Sequence, residues 1–172
     1  MLKIPLNEEI ITYSKELVER TNFGKRGFAD GNKRNQYIGI VGENTIRDYL
    51  GIELMTGLGG FDGGYDIDWN GYKADVKCME RKVDPKDYYV NNVLDTQIGY
   101  VADAFIFASI NRFTKVLTVC GWVTKEEFKE RGNYYPKGTI RTRKDGTTFE
   151  LYAGNWEIEN KYLNSFLTFN KW

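Results

Sequence analysis

Residues 65–78, YDIDWNGYKADVKC, decide the fold. Asn70-Gly71 at their centre is the strongest short-range hairpin signal a sequence offers, because a two-residue type I′ turn needs positive φ at both positions. With those two residues as the loop, Trp69 pairs with Tyr72, Asp68 faces Lys73, Ile67 faces Ala74 and Asp66 faces Asp75. Strand side chains alternate, so one face carries Asp66, Asp68, Lys73, Asp75 and Lys77. The other carries Tyr65, Ile67, Trp69, Tyr72, Ala74, Val76 and Cys78, and is a core face.

Opposed residues hold their Cβ atoms about 5 Å apart, where two ionised carboxylates repel by roughly 3 kcal/mol at an effective dielectric near 20. Either Lys73 or Lys77 neutralises the pair as a surface charge ladder, or a hard divalent cation sits between the acids. The second reading suits Mg²⁺ and its preference for oxygen. Asp68 opposite Lys73 is accounted for by a simple ion pair, so it ranks as an auxiliary ligand. Lys77 lies two residues beyond Asp75 on the same face, where its ammonium could orient a nucleophile or stabilise charge growing on phosphate oxygens.

Working outward, Asn7 can cap a first helix with Glu8 and Glu9 in its first turn. Residues 22–35 are rich in glycine and charge and read as a loop. A second helix is expected from about Gln36 to Leu50, stopped by Gly51. On its wheel Tyr37, Ile38, Val41, Ile46, Tyr49 and Leu50 form one arc. Gly39 and Gly42 fall inside that arc, which predicts close packing on a sheet. Glu43 sits at its edge, free either to point toward a site at a strand end or to pair with Arg47 at i+4.

Residues 52–57 read as a strand and Asp84-Pro85 as a helix start leading into a helical or irregular stretch through Ala102. Residues 103–110 and 115–123 read as buried strands. Thr124 with Glu127 forms a capping box, and Asp145-Gly146 turns a late hairpin. Interleaved helices and strands predict an α/β fold with a central mixed β-sheet flanked by helices. A chain of 172 residues suits a single domain. Its core would span about 36–123, with an N-terminal helix and loop at 1–35 and a C-terminal accessory hairpin and short helix at 124–172.

Composition narrows the chemistry. There is no histidine, which removes imidazole catalysis and the commonest zinc ligand. Two cysteines, Cys78 and Cys120, cannot make a structural zinc site alone and read as reduced thiols of a cytoplasmic protein. No apolar run reaches the length of a membrane span, and residues 1–20 lack the apolar core of a signal peptide. Charge is balanced, 24 basic against 24 acidic residues, so any polyanion must be met by local patches.

Taken in order, Gly-Ile-Val-Gly-Glu43 on a helix, Tyr-Asp66, Asn-Gly, then Ala-Asp75-Val-Lys77 resembles the PD-(D/E)xK nuclease superfamily over about residues 36–110. The resemblance implies a restriction-endonuclease-like core: a helix, a three-strand meander, a second helix and a fourth strand. It implies that Asp66, Asp75 and the Val76 backbone carbonyl bind Mg²⁺, with Mn²⁺ as a substitute. Lys77 would be the catalytic lysine, and Glu43 would act through a water or a second metal. Gln97 matches a glutamine that some members carry on the second helix. No proline precedes Asp66, and the second acid is Asp rather than the commoner Glu.

The implied activity is phosphodiester hydrolysis in a nucleic acid, DNA above all, in restriction, recombination, repair or end processing. A homodimer is compatible with it. Lys25, Arg26, Lys33, Arg34, Arg81, Lys82, Arg141 and Arg143 are the basic residues that could contact phosphates. A nucleic-acid-binding module without turnover and a structural protein with a charged hairpin are the alternatives.

Overall fold

The computed structural model describes residues 1–21, 23, 32–57, 64–142 and 146–171. Lys25, Arg26 and Arg143 lie outside the described residues. The strands in chain order are β1 (Leu2–Pro5), β2 (Ile67–Trp69), β3 (Tyr72–Arg81), β4 (Val90–Leu94), β5 (Ala104–Asn111), β6 (Val116–Thr124), β7 (Asn133–Tyr135), β8 (Ile140–Thr142), β9 (Thr148–Glu150) and β10 (Asn155–Glu159). The helices are α1 (Glu8–Arg20), α2 (Lys33–Leu50), α3 (Asp95–Ile98) and α4 (Lys125–Arg131).

Local chemistry sets most helix ends. The Asn7 side chain accepts from Glu9 N–H at the start of α1. Asn32 does the same for Asn35, so α2 begins at Lys33 rather than near Gln36. Gly51, at φ 71°, closes α2 in the left-handed conformation that glycine adopts without a Cβ clash. Thr124 and Glu127 form the expected capping box of α4.

The main sheet has the order β1-β6-β5-β3-β2. β3 and β5 run parallel and the other neighbours antiparallel, so the sheet is mixed. A second sheet, β4-β10-β7, and a β8-β9 ribbon complete the α/β architecture. The Asn70-Gly71 turn has φ 53° and 85°, and Trp69, Asp68 and Ile67 pair with Tyr72, Lys73 and Ala74 in the predicted register. α2 lays Ile38, Val41 and Ile46 on the sheet face that carries Ala74, Val76, Ala104, Ile106 and Ala108. The opposite face buries Phe105, Phe107 and Val123 against Phe128 of α4 and against Val93 and Ile158 of the second sheet. β5 is buried on both faces, which is why it reads as a continuous apolar run.

Three expectations are corrected. Residues 52–57 are not a strand, because α1 and α2 side chains take their backbone groups. Asn44 accepts from Met55 N–H, Tyr13 donates to Met55 O, and Arg47 donates to Glu53 O. Residues 90–94 form β4 rather than continuing helical or irregular structure. Asn91 points inward there and donates to Asn160 Oδ1 at 2.7 Å, so a polar residue at a core position hides the strand alternation. Gly39 has open space around it, whereas a Cβ on Gly42 would lie 2.5 Å from Cys78 Cβ and Sγ. Only Gly42 marks a close approach.

The two glycines should therefore respond oppositely to alanine. Gly39→Ala should stabilise the fold by about 0.5–1 kcal/mol through helix propensity. Gly42→Ala should destabilise it by about 1–3 kcal/mol through overpacking against Cys78. Urea unfolding of both variants checks this, and equal shifts in the same direction would refute the packing argument.

Candidate active site

Glu43 on α2, Asp66 just before β2, and Asp75 and Lys77 on β3 come together where β2 stops covering β3. Ala74, the ladder partner of Ile67, also accepts from Asp66 N–H at 2.9 Å. Two residues thus oppose one, as in a bulge, and Asp66 is not in register opposite Asp75 as the extended pairing predicts. Its side chain turns into the gap instead, and Oδ2 accepts from Val76 N–H at 2.7 Å. A carboxylate here takes the amide that a longer β2 would have taken. N–H and C=O of one strand residue point to the same side, so the Val76 carbonyl also faces this gap.

Asp75 is 5% exposed, and its Oδ2 lies 2.7 Å from Lys77 Nζ. Glu43 is 4% exposed, and its Oε1 accepts from Arg47 Nε at 2.7 Å. Glu43 thus pairs with Arg47 at i+4 and also lies within electrostatic range of Asp66. The same guanidinium donates to the backbone carbonyls of Glu53 and Asp66, tying α2 to the chain that leads into β2. Arg47 is the site residue that motif reading undervalues, and its only signal is the i+4 spacing from Glu43.

Although Asp66 as a residue keeps some exposed surface, its carboxyl is enclosed by protein atoms. Burial, then the charges of Glu43 and Asp75, push it well above the usual carboxylate range, while Lys77 and Val76 N–H pull the other way. The pair Asp75–Lys77 and the pair Glu43–Arg47 each balance, so an ionised Asp66 leaves one negative charge in excess. An oxygen-only donor set with excess negative charge fits Mg²⁺ or Mn²⁺ in kind. Among the described residues no three acidic or thiol side chains are grouped around a common point as ligands.

The remaining candidates stand apart. Asp68 is exposed and accepts from Gly71 N–H at 3.2 Å, while Lys73 Nζ lies 4.9 Å over the Tyr65 ring. The expected Asp68–Lys73 ion pair does not form, because the turn amide and the ring claim its two ends. Gln97 lies in α3, where its backbone carbonyl accepts from Tyr100 N–H, and the Tyr100 ring lies against Gly64. Lys33 donates to Val18 O, Arg34 pairs with Glu80, and Arg141 pairs with Glu157. Arg81 donates to Val90 O and Lys82 is exposed. Arg81 lies six residues along β3 from Asp75, about 20 Å away. Cys78 and Cys120 are free thiols, with Cys120 pushed up to about 11 by burial.

Compared with known proteins, the chain matches no family model, no curated sequence and no solved structure.

The raised Asp66 makes a stability prediction. The native state holds this proton more tightly than the unfolded chain does. Its favourable contribution is full below the ordinary aspartate range and is lost as pH rises through the raised value. Asp66→Asn keeps an acceptor for Val76 N–H and removes the titration. In EDTA, the variant should gain on the wild type progressively as pH rises above the ordinary aspartate range, about pH 4. Denaturant titrations at each pH measure the difference, and one that stays flat or shrinks would contradict the electrostatic reading.

Proposed function

We propose that this chain is a metal-dependent nuclease that hydrolyses phosphodiester bonds in DNA, with a restriction-endonuclease-like core. The observation that carries the reading is the convergence of Glu43, Asp66, Asp75 and Lys77 from three separate elements on the open edge of β3. The order of elements supports it: α2, the β2–β3 hairpin, then, after β4 of the second sheet, the short α3 and β5 parallel to β3. The strand read from the sequence at 52–57 is missing from that order. Among the described residues no helix is long and apolar enough to cross a membrane.

Asp66, Asp75 and the Val76 carbonyl would hold the cation, with Glu43 acting through a water or a second ion. Bound Mg²⁺ or Mn²⁺ supplies Lewis acidity toward a phosphoryl oxygen and a more acidic water. The protein's own part is positioning. Asp75 keeps the Lys77 ammonium at 2.7 Å, with the lysine side chain 20% exposed, so its charge is available to the reacting phosphate. Arg47 keeps Glu43 turned toward the same gap. A binding module without turnover draws on a different observation: an arginine, a lysine and an amide already engage one oxygen each of Glu43, Asp75 and Asp66.

Linear, circular, single-stranded and branched DNA, each with Mg²⁺ or EDTA, separates these readings. The wild type should cut in Mg²⁺ only, and Asp66→Ala or Asp75→Ala should abolish cleavage. Lys77→Ala should lose roughly 100-fold or more in single-turnover rate while still binding DNA. Glu43→Ala should be intermediate, and Asp68→Ala should cost less than about 1 kcal/mol of transition-state stabilisation, since it caps an exposed turn. Full activity in Lys77→Ala, or inactivity in Asp68→Ala alone, would mean that the reaction uses other residues.

A further inference from the structure

Among the described residues, the basic residues singled out by sequence are poorly placed to hold a polyanion over this site. Arg34 and Arg141 are paired with carboxylates, and Arg81 and Lys82 lie at the far end of β3. Two other cations flank the acidic residues. Lys73 precedes Asp75 by two residues on the same strand face, about 7 Å along β3. Lys125 opens α4 directly after Thr124, the β6 partner of Ala104, which in turn pairs with Ala74. Lys73 and Lys125 therefore sit about two strand spacings apart, roughly 10 Å between backbones.

A closed circuit of contacts holds them there. Asp103 N–H donates to Lys73 O, Lys73 N–H donates to Asp103 Oδ2, and Lys125 N–H donates to Asp103 O. Lys125 Nζ donates to Tyr100 O at 2.5 Å, the Tyr100 ring packs on Gly64, and Lys73 Nζ lies over the ring of Tyr65 next along the chain. Both ammoniums are thus positioned by a carbonyl and a ring rather than by a counter-charge. Among the described residues neither forms an ion pair. The circuit encloses Gly64 and Tyr65, which lead straight into Asp66.

We propose that Lys73 and Lys125 bind two phosphates of the nucleic-acid strand whose scissile bond lies over Asp75 and Lys77. This rests on the nuclease reading and adds the residues that grip the substrate. Preorganised cations without carboxylate partners can exchange a carbonyl or a ring for a phosphate without breaking an ion pair. In a chain of zero net charge, such local cations are what binding would have to use.

The test is anisotropy of a labelled 20-nucleotide DNA, single-stranded and duplex, against the full chain in EDTA across a NaCl series. Each phosphate contact contributes about 0.7–0.9 to the slope of log K against log salt. Lys73→Gln and Lys125→Gln should each lower the slope by about that amount, and the double variant by about twice it. Lys73→Arg and Lys125→Arg should retain the slope, and Arg34→Gln and Arg141→Gln should leave it unchanged. A merely structural role would change the melting temperature but not the slope. An unchanged slope in the double variant, a loss confined to Arg34→Gln or Arg141→Gln, or no wild-type binding at low salt would each overturn the proposal. Mg²⁺-dependent cleavage by the wild type, scored separately, tells whether the nuclease reading falls with it.

Discussion

β3 is paired with β5 from Ala74 to Arg81 but with β2 over only three residues, and this mismatch organises the molecule. A strand edge cannot leave its amides unpaired inside a folded protein without a cost of about 1–3 kcal/mol each. Asp66 meets that demand at Val76 with a carboxylate instead of a backbone carbonyl. Once a carboxylate fills the gap, Glu43 from above the sheet and Asp75 from below come within electrostatic range of it. Arg47 and Lys77 are the answers to the repulsion that follows. The same shortfall in pairing that would weaken a purely structural sheet thus creates an enclosed, charge-rich notch.

Much of this was legible in the order of residues. Asn70-Gly71 set the turn and, through strand alternation, separated Ala74 and Val76 from Asp75 and Lys77. Asn7, Gly51 and the Thr124/Glu127 box marked helix ends, since capping depends on neighbours within a turn. That Glu43, Asp66, Asp75 and Lys77 lie near one another was legible too, although the register at Asp66 was not. A bulge at Asp66 leaves no mark in a two-residue alternation, because it depends on how far β2 extends. Pairings between distant segments were hidden for a related reason. β4 joins β10 across more than sixty residues, and the Asn91 that faces its core speaks locally for a loop. Residues 52–57 mislead in the opposite direction: an apolar run suits a strand until Asn44, Tyr13 and Arg47 claim its backbone.

The basic residues show how charge counts differ from charge availability. Arg34 and Arg141 look like phosphate ligands in a list of residues, yet each holds an acidic side chain of its own chain at 2.6–2.7 Å. Lys73, by contrast, looked like the ion-pair partner of Asp68 and instead rests on a tyrosine ring. Which cations remain open to a partner depends on pairing set by the tertiary fold.

The pairing of β1 with β6 joins Leu2–Pro5 to Val116–Val119. During synthesis at about 5–20 residues per second, the first strand waits roughly 6–25 seconds before its partner even exists. For that interval its alternating apolar side chains have no sheet to join. α1 and α2 can coil and meet each other early, since their contacts are nearer in sequence, but β1 can join the main sheet only once β6 exists. A strand that waits this long for its partner is a segment that chaperones covering short apolar stretches could engage.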